Sequence, residues 1–334
     1  MSGSGGGAEP LDPTVARGRS AVTDALEDVS SGSAVVLGVS GGADSLALAA
    51  LTAFVAPRRE IGVRCLVVDH GLQDGSAQVA AATAETLRGL GLEADVRRVQ
   101  VGRDGGPEAA ARSARRAALA SYAQEHGCVA VLLAHTRDDQ AETVLLGLSR
   151  GSGARSLAGI APRDGLWRRP LLGLSRTDTE AVCRASGLSW WSDPHNDDDR
   201  YARVRVRRDV LPVLEEALGP GVAAALARTA GMLRDDADLL DTLAAQSRGE
   251  LARPDGGLDA AGLAALPRAL RTRVLRAAAL EAGCPAGDLT AAHVVEVERL
   301  VTRWRGQGGP ALPGGVTVSR TDGALVFRRA STRG

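Results

Sequence analysis

The chain has 334 residues, of which 44% are hydrophobic and only 2% aromatic, with 40 basic side chains balancing 40 acidic ones. That length suits two domains, and zero net charge removes any global attraction for nucleic acid, so an RNA site has to be a local patch. The four cysteines, at 65, 128, 183 and 284, form no C-x-x-C pair, which argues against a disulfide framework and against a zinc or iron–sulfur site. No apolar run approaches the roughly 20 residues of a membrane span. Met1 to Pro13 is a Gly/Ser-rich tail with no apolar signal core, so the expected home is a reducing cytoplasm.

Thr14 to Asp28 predicts a short amphipathic helix. The apolar run from Val35 then stops at Ser40-Gly41-Gly42-Ala43-Asp44-Ser45 and gives way to the helical stretch Leu46–Val55. Strand, tight loop and helix are implied. The glycines admit positive φ and let backbone N–H groups approach an anion, and the helix N-terminus points its free N–H groups at the same place. Ser40 and Ser45 add hydroxyl donors. Asp44 would repel a phosphate unless a cation lay between them, which points to Mg²⁺. A Walker loop is excluded because the chain contains no lysine. Gly38, Gly41 and Gly42 do not have dinucleotide-fingerprint spacing either.

A second strand, Arg64–Asp69, ends in Asp69-His70-Gly71-Leu72. A helix over Ala77–Gly89, a strand around Ala94–Val101 and a helix from Pro107 to about His126 follow. Val129–Ala134 reads as a strand buried on both faces, ending at His135, and a helix spans Arg137–Leu148. This alternation predicts a doubly wound, mostly parallel α/β sheet. Ligands on such sheets lie at the carboxyl ends of the strands, where Ser40, Asp69, His70 and His135 all fall. Arg150-Gly151-Ser152-Gly153 begins a loop region, Arg168–Leu172 reads as a last extended piece, and Thr177 is taken to cap a helix reaching about Ala185. Ser192–Asp199 reads as loop. Near 205–212 the character changes, which divides the chain into a tail (1–13), a catalytic α/β domain (14–212) and a smaller, mainly helical domain (213–334). Helices are expected over 207–218, 220–247, 259–266, 267–282 and 289–304. No strand is expected there before a closing hairpin, Gly315–Ser319 with Ala324–Phe327.

Three clusters remain. Thr136 and Asp139 form a capping-box-like helix start, which leaves Asp138 and Glu142 as like charges at i and i+4, a cost that a cation or a basic ligand would reverse. Arg112 lies beside Arg115 and Arg116 on one helical face, which is either a solvated basic face or a clamp on ATP phosphates or an RNA backbone. Arg200, Arg203, Arg205, Arg207 and Arg208 surround Tyr201 shortly after Trp190-Trp191. That mixture suits single-stranded RNA, or a hinge between domains.

In order, these blocks resemble the tRNA(Ile)-lysidine synthetase family of PP-loop ATP pyrophosphatases. The resemblance rests on Val39–Ser45, Val68–Leu72, Glu108 with Ala111, Arg112 and Arg115, Ala134–Thr136 with Asp138–Thr143, Arg150–Gly153, Arg169–Leu172, and Asp193–Asn196 leading into Tyr201–Arg208. Gln73 stands where the family usually has Arg, and Arg116 where Tyr is common. The resemblance implies an adenine-nucleotide α-hydrolase-like fold. It implies adenylation by ATP of the first anticodon cytidine of a CAU-bearing isoleucine tRNA, with release of pyrophosphate. Attack by the amine of free L-lysine, with loss of AMP, then gives lysidine. Ser40, Gly41, Gly42, Ala43, Asp44, Ser45, Asp69 and His70 would bind ATP. Asp44, Arg112, His135, Asp138, Asp139 and Glu142 would serve catalysis, with Asp44 and Asp138 on Mg²⁺. The three acids from 138 to 142 could instead hold the lysine ammonium, and His135 or a carboxylate could be the base. Arg115, Arg200, Arg203, Arg205 and Arg208 would contact RNA, and the domain after 212 would position the tRNA body in place of the further C-terminal domain that longer members carry. A monomer or homodimer without membrane attachment is expected. The rival readings are a tRNA thiolase, a small-molecule amide ligase of the same superfamily, and a nucleotide- or RNA-binding module without turnover.

Overall fold

The computed structural model describes residues 12–71, 75–102, 106–151, 153–192 and 198–329, without the side chains of 107–109. Leu72, Gln73, Glu108's side chain, Ser152 and the run Asp193–Asn196 therefore lie outside the described residues. Compactness divides the chain into Met1–Leu233 and Arg234–Gly334. That division falls inside a helix, beyond the change of sequence character at 205–212.

In the first unit, α1 (Pro13–Ala25) begins at Asp12, whose carboxylate accepts from the Thr14 N–H. There follow β1 (Ala34–Val39), α2 (Ala43–Val55), β2 (Gly62–Asp69), α3 (Ser76–Gly89), β3 (Glu93–Arg98), α4 (Pro107–Glu125), β4 (Ala130–Leu132), α5 (Arg137–Ser149) and the single turn α6 (Ala154–Leu157). Two short strands, β5 (Arg163–Asp164) and β6 (Trp167–Arg168), precede α7 (Arg176–Ala185). The sheet order is β3-β2-β1-β4-β6-β5. All pairs are parallel except the small β5–β6 ladder. The chain winds outward from β1 to β3, then returns to the other side of β1 with β4. The switch point therefore lies between the ends of β1 and β4, where an open α/β sheet presents its ligand crevice.

Period-two alternation decides the two faces. Val35, Leu37 and Val39 join Cys65, Val67, Ala130 and Leu132 under α1, α2, α3 and α7. Val36, Leu66 and Val131 instead meet Leu119 and Tyr122 of α4. Gly38 lets α4 approach: a Cβ there would lie 2.9 Å from Leu119.

Local details differ from the sequence reading in three places here. Of the expected extended piece only Arg168 lies in a strand, and Pro170–Gly173 forms a 3₁₀ turn, because proline's fixed φ and missing N–H favour a turn start. The cap of α7 is Ser175, not Thr177. Its hydroxyl accepts from the Asp178 N–H while the Asp178 carboxylate accepts from the Ser175 N–H, a reciprocal pairing that starts the helix two residues earlier. The segment from Ala202 is helical earlier than expected, with α8 (Ala202–Arg205) continuing through a π turn (Val206–Val210) into α9 (Leu211–Leu218). The 30-residue α10 (Val222–Leu251) follows.

In the second unit, α11 (Ala260–Ala265), α12 (Arg268–Glu281) and α13 (Ala291–Thr302) agree with the apolar periodicity. The closing hairpin is longer than expected and not alone. β9 (Val316–Thr321) and β10 (Ala324–Arg329) are flanked by β7 (Leu258–Asp259) and β8 (Ala311–Leu312) in a four-stranded antiparallel sheet. Two-residue strands leave no periodicity to read, so only tertiary pairing reveals them. Leu258, Leu312, Val316, Val318 and Leu325 pack with Val274, Leu275, Val297 and Leu300 in its core.

Candidate active site

The loop after β1 is held by its own side chains. Ser45 Oγ donates to the Gly42 carbonyl at 2.9 Å and receives the Ser40 N–H at 3.2 Å. Gly41 has φ +85°, and a Cβ there would stand 2.5 Å from Thr83 Oγ1 of α3, so the turn needs glycine for both conformation and space. Its carbonyl accepts the Trp191 N–H at 3.0 Å, which brings the tryptophan segment alongside the loop. Gly42 is the N-cap of α2 and offers no side chain, so the first N–H groups of α2 remain available to an anion.

Asp44 sits in the first turn of α2. Its Oδ1 accepts from Thr179 Oγ at 2.5 Å, and its Oδ2 lies 3.5 Å from the Arg176 guanidinium. Burial is the main influence and pushes its pKa up, against the opposing effects of Thr179 and Arg176. At the end of β2, Asp69 accepts from the Gly71 N–H. Burial alone would raise it, but hydrogen bonds from Ser76 and Gly71 and the charge of Arg98 outweigh that and hold it below the usual range.

At the end of β4 the expected capping box is present. Asp139 Oδ2 accepts from the Thr136 N–H at 2.8 Å, and Thr136 Oγ1 caps the Asp139 N–H. Burial raises the Asp139 carboxyl, yet Thr136, His135, Arg176 and Arg203 together bring it below its ordinary value. Asp138 Oδ2 accepts the Arg176 N–H at 2.7 Å. Glu142 is fully buried, with Oε1 accepting from Arg207 Nε at 2.7 Å and Oε2 without a partner among the described residues. Burial pushes its pKa up against the pull of Arg207. With no surface open, Glu142 bears on the site through Arg207.

Arg115 of α4 acts electrostatically on both His70 and His135, the residues that follow β2 and β4. Burial, then the charge of Arg115, lowers His70. Burial takes His135 down to about 3, with Arg115, Arg169 and Arg112 opposing the attraction of Asp139, so its ring is neutral at ordinary pH. Arg115 is thus near enough to both histidines and to Asp139 for its charge to be felt by all three.

The arginine run splits in two. Arg203 donates to Thr143 Oγ1 at 3.0 Å and Arg207 to Glu142, so both face α5. Arg200 binds Asp198, Arg205 binds the carbonyls of Asp199 and Arg200, and Arg208 binds Asp199 and Asp209. Their i, i+4 spacing in the sequence marks Arg203 and Arg207 as one face. Nothing in the sequence marked Arg176 or Thr179, which reach Asp44 across more than 130 residues.

Among the described residues, no group of three or more carboxylate, imidazole or thiol side chains is placed to hold a metal ion. Mg²⁺ normally needs only one or two carboxylates, completing its octahedron with phosphate oxygens and water. Asp44 fits that role with Oδ2, whose contact to Arg176 is long. Asp138 has one oxygen committed to a backbone N–H. All four cysteines are buried free thiols, and burial pushes Cys65 and Cys183 up to about 12. No single helix among the described residues is long and apolar enough to cross a membrane.

Comparison with known proteins places these observations. The PP-loop domain family matches residues 16–214, and the TilS substrate binding domain matches 258–326. A tRNA(Ile)-lysidine synthase of Thermobifida fusca is 56% identical over 315 residues, covering 94% of this chain and 97% of that one. One from Streptomyces coelicolor is 54% identical over 299 residues, covering 88% and 85% respectively. Among solved structures, a U34-tRNA thiolase from Methanococcus maripaludis aligns with TM-score 0.57 at 19% identity, covering 66% of this chain and 79% of that one. At that identity the likeness shows the fold alone.

Proposed function

The chain belongs to the tRNA(Ile)-lysidine synthase family, and we propose how its residues divide the work of that reaction. It is an ATP-using ligase that forms lysidine on tRNA(Ile). The observation that carries the assignment of roles is the meeting of two blocks at the switch point. Arg176 touches Asp44 of the SGGADS loop with its guanidinium and Asp138 of α5 with its backbone N–H.

In this reading the loop N–H groups, Ser40 and Ser45 hold the departing pyrophosphate, and Asp69 and His70 border the nucleotide. Arg112 and Arg115 offset the charge developing on it, in a cleft where such interactions are stronger than in water. Mg²⁺, held by Asp44 together with phosphate oxygens, would supply further charge neutralisation when bound. His135 stays neutral and serves as a hydrogen-bonding group rather than a proton store. Asp138 and Asp139, partly exposed where Glu142 is closed, hold the ammonium of free lysine and take its proton as the amine attacks C2 of the adenylated cytidine. The bond from C2 to the AMP oxygen breaks in that step. Arg203 joins the inner face of the site, while Arg200, Arg205 and Arg208 flank the entering anticodon loop with CAU. The residues after 212 select the tRNA, consistent with the substrate-binding match at 258–326. A thiolase reading finds no support, since burial raises all four thiols, Cys65 and Cys183 to about 12, and raised thiols supply little thiolate.

ATP–pyrophosphate exchange without lysine tests the scheme. Exchange is expected only with isoleucine tRNA present, and Asp44→Ala should abolish it while leaving tRNA binding nearly intact. Near-normal exchange by Asp44→Ala at ordinary Mg²⁺ would refute the role given to the loop.

A further inference from the structure

Two side chains one turn apart on α7 close upon the start of α2. Thr179 is fully buried and donates to Asp44 Oδ1 at 2.5 Å, and Cys183 Sγ donates to the Ala43 carbonyl at 3.3 Å. The helix bearing them is anchored elsewhere as well. Its cap is reciprocal, and Arg17 of α1 binds Asp178 in that cap at 2.7 Å. Thr179 therefore cannot follow Asp44 if the carboxylate turns.

Thr179 Oγ also lies 2.7 Å from the Arg176 carbonyl. One hydroxyl proton serves one acceptor at a time, and an ionised carboxylate is the stronger of the two. Oδ1 of Asp44 is thus engaged inside the protein. Oδ2 faces Arg176 at 3.5 Å, the outer limit of a hydrogen bond, and the Arg176 side chain is 35% exposed. The two oxygens of one carboxylate are held unequally, one by a buried fixed donor and the other by a loose, partly exposed cation.

We propose that Thr179 is a positioning residue that makes Asp44 a one-oxygen ligand, leaving Oδ2 alone to meet the cation that accompanies ATP. The inference rests on the reading of the SGGADS loop as the Mg·ATP site. A small octahedral ion at 2.0–2.1 Å suits single carboxylate oxygens, whereas larger Ca²⁺ accepts both oxygens of one group. The terminal torsion of aspartate is broad, so without the hydroxyl the carboxylate is free to rotate and offer both. Thr179 then tunes which divalent ion the loop prefers, without touching substrate.

The test compares the parent chain with Thr179→Val, which keeps the shape and loses the hydroxyl, Thr179→Ser, which keeps the hydroxyl, and Thr179→Ala as a second hydroxyl-free variant. ATP binding is followed by calorimetry against Mg²⁺ and against Ca²⁺, with the ligand-free melting temperature recorded alongside. Thr179→Val and Thr179→Ala should need about tenfold more Mg²⁺ for half-maximal ATP binding and lose preference for Mg²⁺ over Ca²⁺. Thr179→Ser should match the parent. A lower melting temperature with the parent's Mg²⁺ midpoint and ion preference would show a packing role only and overturn the proposal, as would a serine variant behaving like valine. Should the parent chain bind ATP without any dependence on divalent ion, the loop assignment falls and this inference with it.

Discussion

Arg207→Met should be among the most costly single changes near the site, and more costly than changing its partner. Glu142 has no exposed surface, whereas the Arg207 side chain is 26% exposed, and they meet at 2.7 Å. Removing Arg207 leaves a buried carboxylate with neither oxygen partnered, since Oε2 already lacks a donor among the described residues. Breaking a buried pair in that way costs about 3–5 kcal/mol, and the partial exposure of Arg207 favours the lower end. Glu142→Gln keeps the shape and leaves a guanidinium that can hydrate, so about 1 kcal/mol is expected. Combining Arg207→Met with Glu142→Gln should cost clearly less than the sum of the two. Urea unfolding on a Trp304→Phe background confines the fluorescence to Trp167, Trp190 and Trp191 of the first unit. Burial already raises Glu142, and losing Arg207 raises it further. A carboxyl held above its unfolded value binds a proton more tightly when folded, so the Arg207→Met penalty should shrink as pH falls from 7 to 5. A penalty under about 1 kcal/mol, or strict additivity in the pair, would refute the reasoning from buried charge.

Gly41→Ala should lose loop function for two reasons that separate. Positive φ costs about 1–2 kcal/mol, and the new methyl meets Thr83 Oγ1. Adding Thr83→Ala should recover only the second share in melting temperature, and full recovery would contradict the backbone argument. His135→Asn should change the acid limb of stability. The folded-state value near 3 lies below the unfolded one near 6.5, so the stabilisation is complete above about pH 6.5 and is lost as pH falls toward 3. The stability gap between parent and variant should therefore narrow by about 2 kcal/mol between pH 7 and 5, at about 1.4 kcal/mol per pH unit. A gap independent of pH would contradict the burial of a neutral ring.

What the sequence determined by itself is the local chemistry. Alternating apolar runs and punctuating glycines specify β1, β2, β4 and their helices, because buried strands and amphipathic helices have distinct periods. Gly41 and the Thr136–Asp139 cap were legible because loop conformation and capping involve residues only a few positions apart. The parallel sheet and the strand ends bearing Ser40, Asp69, His70 and His135 followed from the same alternation. Tertiary structure alone decided which charges answer each other. Glu142 read as a site acid, yet it is fully buried and its partner lies 65 residues away. Arg200, Arg205 and Arg208 resembled Arg203 and Arg207 until the π turn and helix packing divided them between outer acids and α5. Arg176 and Thr179 gave no signal, because a hydroxyl and a guanidinium become ligands of Asp44 only when α7 packs on α2. Periodicity reports the side of an element that is buried, but electrostatic pairing depends on distance in space, which short-range pattern does not encode.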